Sequence, residues 1–313
     1  MKTNEIQIRD PFVLPVPEEQ CYYLFGTTDK NCWSGSATGF DCYRSRNLEE
    51  WEGPIPAFRP PAGFWATHNF WAPEVHFFNG RYYMFATFAA EKRYRGTQIL
   101  VAENASGPYA PLTDCPVTPR HWQCLDGTLH VDQDGNPWIV FCHEWMQVHN
   151  GEMVAMQLSP DLKQAVAPPV FLFNASEAPW AYPSGWPSPG EPPQFPAYLF
   201  GPEISAQYPF PVYVTDGPFL HRTANGTLLM LWSTLGNTGY TMGLARSQSG
   251  HITGPWEQTP EPLWQKDGGH GMIFRAFDGQ LFITLHHPNN TPEERPLFIE
   301  IEEIDDTITL KND

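Results

Sequence analysis

Five times along the chain, an apolar segment opens behind a small, acidic or histidine residue, passes through an Asn-Gly, Asp-Gly or similar turn, and resumes as a second apolar segment. The units are RDPFVLP…CYYLFGT from Arg9, APEVHFFNGRYYMFAT from Ala72, LDGTLHVDQDGNPWIVF from Leu125, TDGPFLHRTANGTLLMLWST from Thr215 and GHGMIFRAFDGQLFITLHH from Gly269. Turns of that composition join antiparallel strands. A strand pair recurring about every 50 residues marks a β-propeller, in which each unit is one blade around a central axis. The fold predicted is therefore all-β, a five-bladed β-propeller. The segments SRNLEEWEGP, ENASGPYAPL, SPDLKQAV and SQSGHITGPWEQ each set a Ser or Asn turn before a further strand, which supports four strands per blade. The alternating stretch from Pro296 to Leu310 completes the ring.

The repeats run nearly end to end through residues 1–313, so a single domain is expected. One interval, from Asp126 to Asp216, is too long for a blade. The excess is a Pro- and aromatic-rich insertion at about 176–211, whose prolines exclude an internal strand or helix. Its Trp180, Tyr182, Trp186, Phe195, Tyr198 and Phe200 predict an ordered loop over the mouth of a central pocket. A net charge of −17 argues against nucleic acid, which is held by Lys and Arg, and points to a neutral ligand. No apolar run approaches the roughly 20 residues that cross a bilayer, and the opening MKTNEIQIRD lacks the apolar stretch of a signal peptide. A cytoplasmic protein with no membrane partner is expected. Six cysteines without CxxC spacing read as free thiols.

If the first strand of each blade lines the axis, Asp10, Glu74, Asp126, Asp216 and His270 meet near one pocket. An Asp before Pro or Gly often does no more than make a turn. Three of them at blade starts (RDPF, LDGT, TDGPF) place carboxylates where burial is costly without a partner or a task.

Taken in order, RDP near the start, WAPEV at Trp71–Val75, LDGTLHVDQDG, TDGPF and GGHGMIF at Gly268–Phe274 resemble family 43 glycoside hydrolases. Those are five-bladed propellers that cleave arabinose- and xylose-containing glycans with inversion. The resemblance implies Asp10 as the general base and Asp126 as the carboxylate that orients the acid and raises its pKa. It places Asp216 where the family has the general-acid glutamate of an EGPF-like motif. Aspartate is one methylene shorter, which moves the carboxyl on the order of 1 Å from the glycosidic oxygen. Glu144 in FCHEWMQ and Glu203 in FGPEIS are the alternative acids, Glu144 also as a substrate ligand. By the same resemblance His270 lies on the axis, where family members use the histidine against a calcium ion or a water cluster. A calcium ion there, reached through water, is the only cofactor implied, and none is required. Arg295 resembles the late arginine used near the aspartates or the sugar.

Trp33, Phe70 and Trp71 are the aromatics expected to stack on sugar, with His68 and Asn69 beside them and Glu74 in a structural role. The function expected is an inverting, exo-acting glycosidase that releases a terminal pentose, α-L-arabinofuranose, from plant-derived oligosaccharides. A β-xylosidase of the same family is the alternative, as is a non-catalytic glycan-binding propeller if Asp216 does not replace the glutamate.

Overall fold

The structure is a computed structural model that describes residues 1–183 and 211–311. Those residues form five four-stranded sheets, each contiguous in sequence and antiparallel throughout. Blade 1 holds β1 (Arg9–Val16), β2 (Cys21–Thr27), β3 (Phe40–Ser45) and β4 (Trp51–Phe58). Blade 2 holds β5 (His68–Phe78), β6 (Arg81–Ala90), β7 (Arg93–Ala102) and β8 (Ala110–Pro111), and blade 3 holds β9 (Cys124–Val131), β10 (Pro137–His143), β11 (Glu152–Gln157) and β12 (Val170–Asn174). Blade 4 comprises β13 (Asp216–Arg222), β14 (Leu228–Gly236), β15 (Gly239–Ser247) and β16 (Trp256–Gln258). Blade 5 comprises β17 (Gly269–Arg275), β18 (Leu281–His287), β19 (Arg295–Ile304) and β20 (Thr307–Leu310). The first strands pack in a closed circuit, β1 on β5, β5 on β9, β9 on β13, β13 on β17 and β17 on β1. This is the five-bladed propeller the repeats predict.

The apolar side chains of each sheet fill the wedges between neighbouring blades. Phe40, Phe58, Phe70 and Phe88 lie between blades 1 and 2, while Phe173 and Trp232 lie between blades 3 and 4. Full burial of one such ring contributes about 2 kcal/mol. Phe70, expected against sugar, therefore belongs to the core: it has no exposed surface and its ring centre is 4.8 Å from that of Phe88. Register breaks on both sides of Trp71 interrupt the simple alternation of β5, so the pattern HNFW does not reveal which aromatic faces outward. Trp180 is also a core residue, 4.7 Å from Trp232, with its indole N–H donated to the Thr259 carbonyl. It roots the start of the insertion beside blade 4 and does not cover the mouth. Most of the insertion lies outside the described residues, and Glu203, Trp186, Phe195, Tyr198 and Phe200 with it.

No strand is shared between blades 1 and 5, so the ring closes through a seam of side chains and loop backbone. The Ile8 N–H donates to the Glu294 carbonyl at 3.3 Å, and Trp51 packs on Phe298 at 6.0 Å. Arg295 donates to the carbonyls of Asn4, Pro292 and Glu294. Its guanidinium is thus spent on the seam and does not reach the aspartates, contrary to the role the resemblance implied. Arg9 Nη1 donates to Glu294 Oε1 at 2.9 Å, and Glu294 is fully buried. Removing one partner of a buried pair leaves an uncompensated charge, so Glu294→Ala should cost about 3–5 kcal/mol. Chemical denaturation checks this; a loss below about 1 kcal/mol would mean the seam is not held by charge.

Candidate active site

Each first strand slips its register against its neighbour at the same point along the blade. A residue with positive φ sits there in every blade: Asp10 (52°), Ala72 (45°), Asp126 (55°), Gly217 (50°) and His270 (52°). These five positions are the structural equivalents. Asp10, Asp126 and His270 match, as the sequence suggests. Asp216 stands one residue earlier and Glu74 two later than matched reading implies. A left-handed conformation costs a residue other than glycine about 1–2 kcal/mol, and such strain gathers where function over-determines the backbone. In the fourth blade the left-handed position is a glycine for a second reason. A Cβ on Gly217 would lie 2.7 Å from the His270 ring, so the DGPF motif opens space for the imidazole while the preceding residue carries the acid.

His270 stands between the carboxylates, with Nδ1 3.2 Å from Asp10 Oδ1 and 3.7 Å from Asp126 Oδ2. Asp10 Oδ2 accepts the Thr27 hydroxyl at 2.6 Å. Asp126 accepts the Gly217 N–H at 3.2 Å and the Thr87 hydroxyl at 3.3 Å. Asp216 Oδ2 accepts the Tyr240 hydroxyl at 3.0 Å. Glu74 lies below them, its Oε2 accepting the Thr128 hydroxyl at 2.5 Å and facing His76 at 3.2 Å, which fits the structural role expected of it.

The three aspartates do not share one electrostatic environment. Burial alone would raise Asp10, but the charges of His270 and Arg9 and the Thr27 hydrogen bond outweigh it, and its pKa falls below the ordinary carboxylate value. Burial raises Asp126 to about 7, opposed by His270 and reinforced by the charges of Asp216 and Asp10. Burial likewise raises Asp216 to about 6, opposed by His270 and the Tyr240 hydroxyl and reinforced by Asp10 and Glu144. His270 is disfavoured as a cation by burial, yet the surrounding Asp10, Asp126 and Asp216 charges raise its pKa. It serves as the local countercharge.

Along one side of the cluster runs a ladder of alternating charges and rings. Arg9 lies 4.9 Å over Trp33, Trp33 is 5.4 Å from Trp71, and Arg95 lies 4.3 Å over Trp71. The ends are anchored by carboxylates, Glu294 on Arg9 and Glu144 on Arg95, the latter at 2.5 Å. The Trp71 indole N–H and the Asn69 amide both donate to the Cys32 carbonyl, at 2.6 and 3.1 Å. Trp33 and Trp71 are thus brought together as expected, and half-buried. Glu144 is buried, engaged by Arg95 and close enough to influence Asp216. Arg95, Tyr240 and His286 were not identified from the sequence, since none stands at the head of a repeat or in a motif of its own, and Arg9, though it opens the RDP motif, carries no role in that reading. Among the described residues no three His, Cys, Asp or Glu side chains are placed to hold a metal ion. His270 turns Nδ1 to two carboxylates, an arrangement suited to an imidazolium on that side, so a calcium ion reached through water would face Nε2.

The sequence profile described as glycosyl hydrolases family 43 matches residues 4–307. An endo-arabinase from Bacteroides thetaiotaomicron is 37% identical, with a TM-score of 0.84 over 97% of this chain and 98% of that one. A thermostable family-43 glycoside hydrolase shares the fold at a TM-score of 0.76 and 23% identity, covering 100% of this chain and 96% of the other. A stretch of 155 residues is 23% identical to the extracellular endo-α-(1→5)-L-arabinanase 1 of Bacillus subtilis, spanning 46% of this chain and 45% of that protein. The fold and the sequence agree on a propeller-type glycoside hydrolase. The chain belongs to glycosyl hydrolases family 43.

Proposed function

We propose that the protein hydrolyses α-L-arabinofuranosyl linkages in arabinan-type glycans with inversion, Asp10 acting as general base and Asp216 as general acid. The observation that carries this reading is the split between two carboxyl environments at one site, one favouring the anion and the other favouring the protonated form. In the reaction a water gives its proton to Asp10 as its oxygen bonds to the anomeric carbon from one face. The glycosidic C–O bond breaks on the other face, and the departing oxygen takes the Asp216 proton. Asp126 accepts the Gly217 N–H, and so helps fix the backbone next to the acid.

The pH dependence follows from the two shifts. Asp10 must be ionised, so the acid limb of kcat/KM lies below the ordinary carboxylate range. Asp216 must be protonated, so activity falls as the pH rises through about 6. A kcat/KM profile that stays flat to pH 8 would contradict the assignment.

Similarity to two proteins described as endo-acting favours internal cleavage over the exo mode suggested by the sequence. The test is a time course on linear α-1,5-arabinan. Internal cleavage gives a ladder of oligosaccharides and an early fall in viscosity, whereas exo action gives a single short product with viscosity preserved. Turnover of β-1,4-xylan in place of arabinan would move the substrate class to xylan, and no turnover of either would sink the proposal.

A further inference from the structure

We propose that Tyr240 is the positioning residue of the acid, its hydroxyl fixing one oxygen of Asp216 and its ring, stacked on His286, tying that carboxyl to the backbone of Asp10. The inference rests on Asp216 being the acid.

Tyr240 stands near the start of β15, the third strand of blade 4, and is buried. Its backbone N–H donates to Asp267 Oδ1 at 3.2 Å and its carbonyl accepts the Gly268 N–H at 3.0 Å, which ties it to the entry of blade 5. The ring passes beside Gly269, where a Cβ would lie 2.8 Å from it, so the small residues before His270 make room for the phenol. The hydroxyl has one proton, and donating it to Asp216 Oδ2 makes that oxygen an acceptor. The proton of the neutral acid is then left to Oδ1. A side chain one methylene shorter than glutamate gains an external holder in this way.

The other end of the arrangement is His286, fully buried and 5.6 Å from the Tyr240 ring at an interplanar angle of 19°. Its Nδ1 accepts the Asp10 N–H at 3.2 Å, which places the ring proton on Nε2, facing Asn289 Oδ1 at 3.2 Å. Asn289 Oδ1 in turn accepts Arg9 Nη2 at 2.7 Å. Burial and the Arg9 charge push His286 down to about 3, so the stacked ring is neutral. Asp10, His286, Tyr240 and Asp216 therefore form one connected path between the two carboxyl groups, drawn from blades 1, 5 and 4.

The test is Tyr240→Phe, which keeps the ring and removes the hydroxyl. On arabinan, kcat should fall about 10- to 100-fold with KM within about twofold, as expected for a misplaced reacting group. The basic limb of the pH profile should move upward, since a hydrogen bond to the ionised acid is lost. The rate should be largely restored on an arabino-oligoside with a nitrophenol leaving group, which needs little protonation. Replacement by 3-fluorotyrosine, nearly isosteric and a stronger donor, should move the limb the other way and covers the case that the phenylalanine variant does not fold. An unmoved limb in the folded variants, or a loss equal on both substrates, assigns Tyr240 a merely structural role. If Asp216→Asn keeps native turnover on arabinan, the acid assignment itself fails and this inference falls with it.

Discussion

Asp10→Asn should yield a folded protein that binds arabino-oligosaccharides with near-native affinity but hydrolyses them at least about 10³-fold more slowly. The carboxamide is isosteric and can still accept the Thr27 hydroxyl, but it cannot take a proton from water. His270 keeps the Asp126 carboxyl 3.7 Å from Nδ1, so the imidazole is not left without a polar partner. Calorimetric binding together with reducing-sugar release measures both quantities. A protein that only binds glycans would show no turnover in either form, and a variant retaining more than a tenth of native kcat would remove Asp10 from the reaction.

Asp216→Asn is expected to lower kcat on arabinan by about 10²–10⁴, the usual range for a general acid. Its signature is the dependence on leaving group. A sugar alkoxide leaves slowly without a proton, whereas a nitrophenolate leaves readily, so the deficit should shrink on the activated substrate. Glu144→Gln provides the contrast. Glu144 is buried against Arg95, and its charge helps to raise Asp216. Its loss should move the basic limb downward and reduce stability while leaving the leaving-group dependence native. If Glu144→Gln, and not Asp216→Asn, shows the substrate-dependent loss, the acid is Glu144.

The propeller was legible because its evidence is local and repeated: a strand, a tight turn and a second strand, five times over, with glycine in four of the five turns. The convergence of Asp10, Asp126 and His270 was legible for the same reason, each heading a repeat. What escaped the sequence was the register within the heads. A positive φ announces itself when the residue is glycine but not when it is Asp10 or Ala72. Asp216 was therefore aligned one position from its structural place. Arg295 was misassigned because its partner Asn4 lies at the other end of the chain, and only ring closure brings them together. Tyr240 and His286 sit on later strands of their blades, where nothing in the local pattern separates a residue that touches the carboxyl cluster from one that fills a wedge. Phe70 carried the opposite error, an aromatic beside the half-buried Trp71 but facing into the protein.

The seam between the first and last blades has a consequence for how the molecule ages under stress. Arg9, the neighbour of Asp10, is clasped to Glu294 at the junction where the first blade of the chain meets the last. The fastening and the proposed general base thus occupy adjacent residues. Any loosening of the circle at that joint disturbs the reacting centre at once, while the other four joints could still be intact.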